Sequence, residues 1–223
     1  MSSTTTQDEA AREPVAVECR LEPWGKPGED SHQLHRYKLF FDDSSSQWLS
    51  RTTTILKALR EDGQRREVAE LPKVEHFLRS GEWPEEDWEK LPEPERAALA
   101  AFMGWWNENM LIAGAMTDLH AAHLDYKYGA TVDFLLVDRA GDLHAIFRDT
   151  GMDIEKELLR MGAAVGALVS IRGLRVKAAS LLRPGRPLTL KLEQLRQCYT
   201  IFTYCVDVSQ GLHKVRKMAS RQG

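Results

Sequence analysis

The residues from Tyr126 to Gly151 constrain this chain more than any others, because they read as a β-hairpin of unusual clarity. Strands are expected near Ala130 to Val137 and Leu143 to Arg148, joined by Asp138-Arg-Ala-Gly-Asp142, whose Gly141 suits a turn position with positive φ. Side chains alternate along a strand, so residues two apart project from one face. Asp133 thereby becomes the acid of the first strand, and Phe147 and Asp149 are expected to share a face of the second.

Strands and helices alternate on either side of the hairpin. Val15 to Leu21 alternates as a strand does, and Arg36 to Phe41 reads as a second strand ended by the polar turn cluster Asp42 to Ser46. Thr52-Thr-Thr-Ile-Leu-Lys-Ala-Leu59 offers hydroxyl caps and then a helical face of Ile55, Leu56 and Leu59. Helices are expected over 68–78 and 93–110, with prolines at their starts, the second burying Leu99, Phe102, Met103 and Trp106. A short strand over 111–123 leads to the hairpin. Beyond it come a helix over 153–169, strands over 175–183 and 187–190, and a closing amphipathic helix from Leu192 to about Lys217. Gly162 and Gly166 give the first of these helices a small-residue spacing suited to close packing against a sheet.

With 223 residues, of which 43% are hydrophobic and 28% charged, the chain can build one sizeable core. Residues 1–14 are polar and are expected to form a disordered tail, leaving 15–223 as a single α/β domain. A formal net charge of -3 argues against a wholesale electrostatic grip on nucleic acid, so any DNA or RNA contact needs a local basic patch. The run His213, Lys214, Arg216, Lys217 and Arg221 is the candidate; a solvated helix end whose cations suit the helix dipole explains it as well. Cys19, Cys198 and Cys205 have neither disulfide-scaffold nor zinc-finger spacing. No run approaches the roughly 18 apolar residues of a membrane span, and no secretory signal opens the chain. The expectation is an intracellular protein without a membrane partner.

The sequence Thr131-Val-Asp133 followed by Phe147-Arg-Asp-Thr-Gly151 resembles the catalytic hairpin of PD-(D/E)XK nucleases of the RecB-like and phage-exonuclease type. The resemblance spans about residues 45 to 210 in the order of elements, and only the hairpin is specific within it. It implies a restriction-endonuclease-like fold, a mixed sheet flanked by helices, with 60–110 as a helical insert. In that family an Asp on the first strand and an acid on the second hold Mg²⁺, and a lysine two residues after the acid orients the nucleophile. Here Asp133 keeps the first place, but Phe147 stands for the acid and Asp149 for the lysine. Phe147 cannot ligate a hard cation, and a carboxylate in place of a lysine inverts the local field.

Two functions follow from that disagreement. The first is a catalytically degenerate relative, needing no cofactor, that serves as a binding or structural subunit of a protein or nucleoprotein assembly. The alternative is an active Mg²⁺-dependent DNA exonuclease or endonuclease with a displaced site: Asp133, Asp149 and Asp118 as metal ligands, Lys156 arriving from the following helix. Competing with the metal role, Asp149 also suits a turn or helix-capping carboxylate. A third possibility is an unrelated α/β binding protein whose hairpin matches by chance.

The remaining features carry less. Tyr128-Gly-Ala-Thr131 stands where the family has a Gly-Thr turn, and Gln194, Gln197 and Tyr199 offer its Gln and Tyr at altered spacing. His120 and His123 could face a metal only from a helix, and in a strand would point to opposite faces; His32 and His35 stand alone. Trp83, Trp88, Trp105 and Trp106 cluster in the insert. Adjacent helical residues diverge by about 100°, which would leave one of Trp105 and Trp106 exposed for a partner; a broad buried helix between sheet and insert that takes both is the favoured reading. No phosphate-cradling glycine motif and no nucleophile elbow is present.

Overall fold

The computed structural model describes residues 15–24, 34–57, 67–84 and 90–220; the segment before residue 15, His32, Trp88, Arg221 and the His35 side chain lie outside it. One mixed sheet of eight strands runs through the described residues: β1 (Ala16–Trp24), β2 (Leu34–Phe41), β3 (Ser46–Arg51), β4 (Leu111–His123), β5 (Tyr128–Asp138), β6 (Leu143–Arg148), β7 (Val176–Leu182) and β8 (Leu188–Lys191). Its helices are α1 (Thr52–Lys57), α2 (Pro72–Ser80), α3 (Glu93–Glu108), α4 (Ile154–Arg172) and α5 (Leu192–Ala219). No helix among the described residues is long and apolar enough to cross a membrane.

The spatial order is β1-β2-β3-β5-β6-β7-β8, with β4 on the other edge of β5. β3 with β5 and β6 with β7 are parallel; the remaining pairs are antiparallel. β5 and β6 form the expected hairpin. Its turn is locked by Asp138, whose Oδ1 accepts from the amides of Ala140 and Asp142, and by Gly141 at φ 86°. β3 was not foreseen, since Leu49 is its one fully buried residue and gives no alternation to read. β4 fills the whole of the expected 111–123 stretch, running along all of β5 and pairing from Leu111–Asp138 to His123–Tyr128. The Tyr128-Gly-Ala-Thr131 segment lies inside β5 rather than in a turn.

Helices cover both faces of the sheet. On one, α1, α4 and α5 bury Leu56, Met161, Leu168 and Phe202 with Tyr128, Val132 and Phe147. On the other, α2 and α3 bury Phe77, Leu78, Phe102, Trp105 and Trp106 with Phe134, Leu136 and Ile146. Trp105 is 1% and Trp106 7% exposed, so neither stands free for a partner. The divergence of adjacent residues is resolved by two walls. Trp105 turns to the sheet, its ring edge-on to His144 and its indole N–H donating to Thr189 Oγ1 (2.8 Å), while Trp106 meets the Phe77 ring of α2.

Gly162 and Gly166 of α4 serve a helix rather than the sheet. A Cβ on Gly166 would lie 2.5 Å from the Tyr199 ring, and one on Gly162 would lie 2.7 Å from the Tyr199 amide nitrogen. The two glycines let α5 approach closely enough to seat Tyr199 against α4.

Candidate active site

β5 changes faces in mid-strand. Ala130 and Val132 pack in the α4 layer, whereas Phe134 and Leu136, also two apart, pack in the α2 and α3 layer. Its neighbour β4 does the same, with Ala113 and Ala115 against the α2 and α3 layer and Leu119 and Ala121 in the other. Asp133 stands at the change in β5. Asp118, with φ 52°, stands across from it between the pairs Thr117–Phe134 and Leu119–Val132. The sheet also forks here. β4 occupies one edge of β5, so β3 and β6 share the other: β3 meets it at Tyr128 and Gly129, β6 from Phe134 to Val137. Asp133 lies between those two stretches.

Arginines surround the acid. The Arg148 amide donates to Asp133 Oδ2 (2.9 Å) and its guanidinium Nη1 to Oδ1 (3.1 Å); Arg160 Nη1 is 3.9 Å from Oδ2. Arg148 also donates from Nη2 to Glu75 of α2 (2.8 Å), and its Nη1 lies 3.5 Å from Asp118. Arg79 closes the group, 3.7 Å from Asp118, and the Arg79 and Arg148 guanidinium groups both lie over the Phe134 ring. Burial pushes the Asp133 carboxyl above the usual carboxylate range, with Arg160 and Arg148 opposing it. The Glu75 hydrogen bond, with the charges of Asp133 and Asp118, holds Arg148 more firmly protonated than a free arginine.

A second buried pair sits beneath. Glu157 of α4 is fully buried; its Oε1 accepts from the amide (2.7 Å) and hydroxyl of Thr150, and its Oε2 from Arg160 Nε (2.8 Å). Arg160 then donates to the Arg148 carbonyl and lies over the Phe147 ring, 5.3 Å from its centroid. Phe147 itself is fully buried against α4. Where the resemblance expects an acid facing a cation, the ring faces a guanidinium.

Three expectations need correction. Asp149 does not share a strand face with Phe147, because β6 ends at Arg148 and the Asp149 carboxylate instead accepts from the Gly151 amide (2.8 Å) in a tight turn. It caps that turn and not α4, whose N-cap is Asp153. Lys156 does not reach Asp133: it lies 4.0 Å from Asp153, and α4 turns Glu157 and Arg160 toward the hairpin instead. Asp118 does join Asp133, through Arg148. Asp149, Glu75 and Arg148 line a cleft of about 370 Å³ with Leu71, Pro72 and Leu182.

Glu75, Arg148, Glu157 and Arg160 went unmarked in the sequence. Glu157 carried a signal, since it falls in phase with Met161, Ala164 and Leu168 on the buried face of α4. A charge at a core position of a helix calls for a partner, and Arg160 one turn on is that partner.

His120 and His123 go separate ways in β4. The Nδ1 of His120 lies 2.9 Å from Thr131 Oγ1, which also meets the Tyr37 hydroxyl; the Nε2 of His123 lies 2.6 Å from the Tyr199 hydroxyl. Burial lowers the affinity of both rings for a proton. Tyr199 and His123 line a separate cleft of about 560 Å³ between α4 and α5, with Arg175 and Arg196 at its rim. Lys214, Arg216 and Lys217 are exposed along the distal part of α5. Among the described residues, no group of three or more His, Cys, Asp or Glu side chains is arranged to hold a metal ion.

Comparison with known proteins leaves the site to its own chemistry: no protein-family model and no curated protein matches the chain.

Proposed function

We propose that this protein is a catalytically degenerate PD-(D/E)XK nuclease-like domain that serves as a binding or structural subunit of a protein or nucleoprotein assembly. One observation carries the reading: the Arg148 guanidinium bridges Asp133 and Asp118, two of the carboxylates that a displaced nuclease site would present to a cation, and ties both to Glu75 of α2. A hard divalent ion needs oxygens free to face it. Both oxygens of Asp133 already accept from Arg148, so the donor set as it stands does not fit Mg²⁺. Phe147 in place of an acid, and Asp149 turned into a backbone cap, support the same reading.

In this reading the hairpin is a scaffold. The guanidinium supplies permanently what a metal would supply transiently, a positive charge among clustered acids, and so stabilises the fork of the sheet without activating water. A nucleic-acid contact by such a subunit would fall on Lys214, Arg216 and Lys217.

The test is degradation of labelled single- and double-stranded DNA and RNA in Mg²⁺ or Mn²⁺. No cleavage above buffer is expected. Metal-dependent cleavage that is lost in Asp133→Ala would overturn the reading in favour of an active nuclease with a displaced site.

A further inference from the structure

The closing helix carries one face that none of the described residues covers. The first half of α5 is buried through Leu195, Phe202 and Val206 against the rest of the fold, whereas from Asp207 to Ser220 no residue is buried. On the side away from that contact, Ile201, Tyr204, Val208, Gly211, Val215 and Met218 recur at alternating steps of three and four residues. This is the a/d repeat of helices that pack along their length. The five side chains on it are each 52–66% exposed. Cys205 and Leu212 widen the stripe along one edge, and Asp207 and Lys214 flank the other. A continuous apolar stripe of this kind marks an interaction surface, unlike scattered exposed residues.

We propose that the stripe is covered by a second copy of this chain, the two α5 helices packing antiparallel about a twofold axis near residues 209 and 210. The register follows from the residues. In an antiparallel pair the a positions of one helix face the d positions of the other, which sets Ile201 opposite Met218, Tyr204 opposite Val215 and Val208 opposite Gly211. The smallest residue falls at the axis, where it lets the helices approach. The same register brings Asp207 beside Lys214 of the other copy, twice by symmetry. A parallel pair would set Asp207 against Leu212 and satisfy neither charge. Antiparallel helices also oppose their dipoles favourably. The chain's own N-terminal segment is no competitor, as residues 1–14 are polar and offer no apolar repeat to fill the stripe.

Sedimentation of the full chain over about 1 to 100 μM tests this, because a homodimer dissociates on dilution. A concentration-dependent dimer is expected, with Val208→Glu and Tyr204→Asp sedimenting as monomers of unchanged circular dichroism. Asp207→Lys or Lys214→Asp alone is expected to weaken the dimer about fivefold, and the two together to restore it. A monomer at every concentration, a dimer indifferent to Val208→Glu, or a double charge swap as weak as its parents would each overturn the proposal.

Discussion

Arg148 holds Asp133 by two independent hydrogen bonds, one from its backbone amide and one from its guanidinium, so the acid of β5 is bound both to the end of β6 and to its side chain. The side chain alone reaches three carboxylates. Replacing it leaves them facing one another in a partly buried space. Arg148→Ala is expected to lower stability by about 2 to 4 kcal/mol at neutral pH, less than for a fully buried ion because a third of the side chain meets solvent. Acidification should narrow the gap, since burial already favours the protonated form of Asp133 and protonating it removes its repulsion of the others. Urea unfolding at pH 7 and pH 5 measures both.

Glu157→Ala should be as costly or more so. Its carboxylate is fully buried and satisfies Thr150 and Arg160 together, so truncation leaves a buried guanidinium without its nearest carboxylate. A loss of about 3 to 5 kcal/mol is expected. Glu157→Gln, which keeps the shape and an acceptor, should lose less; equal losses in chemical denaturation would count against the charge as the cause.

His144 gives the fold a defined acid sensitivity. It is buried between Trp105 and Ser180, its Nε2 lying 2.8 Å from the Ser180 hydroxyl, and burial pushes its pKa down to about 4. In the unfolded chain the ring takes a proton near pH 6.5, whereas the folded protein resists until about 4. The unfolded state therefore binds the extra proton between those values, and stability falls as the pH drops through them, by about 3 kcal/mol for this residue. Asp133, with a raised pKa, works in the opposite sense. The difference between wild type and His144→Gln across pH 4 to 7 isolates the histidine; a variant with the same slope would assign it elsewhere.

The α4 and α5 contact should tolerate no side chain at its centre. Gly166→Ala places a methyl group 2.5 Å from the Tyr199 ring, and forcing that ring away also parts its hydroxyl from His123. A loss of about 1 to 3 kcal/mol in thermal or chemical unfolding is expected. Tyr199→Phe, which removes the hydroxyl alone, should lose about 1 kcal/mol.

Particular residues decide how much of this could be read in advance. The hairpin, α4 and α5 were legible because Val132 to Val137, Leu143 to Phe147 and the apolar face from Leu195 to Val206 carry strong local patterns. β3 was not, since only Leu49 among its residues is fully buried. Trp105 and Trp106 left a partner surface open beside the favoured buried helix because helical geometry says that adjacent side chains diverge but not how many walls await them. At the site, Asp133 and Asp118 could be named from sequence. Their partner Glu75 could not, as it arrives from α2, 73 residues from Arg148 in the chain, and no local spacing records a pairing at that range. Lys156 was named because the nuclease motif asks for a lysine, while the phase of α4 turns residues 157 and 160 to the hairpin.

The change of face at Asp133 makes β5 a strand shared between two cores. Before it Ala130 and Val132 face the layer with α4; after it Phe134 and Leu136 face the layer with α2 and α3, and Leu135 takes over the α4 side. The strand's inward and outward positions are therefore fixed separately on the two sides of one residue. An insertion or deletion of a single residue on either side would reverse that half of the strand while leaving the other half intact. Asp133, held from β6 and flanked by α4, acts as the mechanical joint at which the two layers are kept in phase.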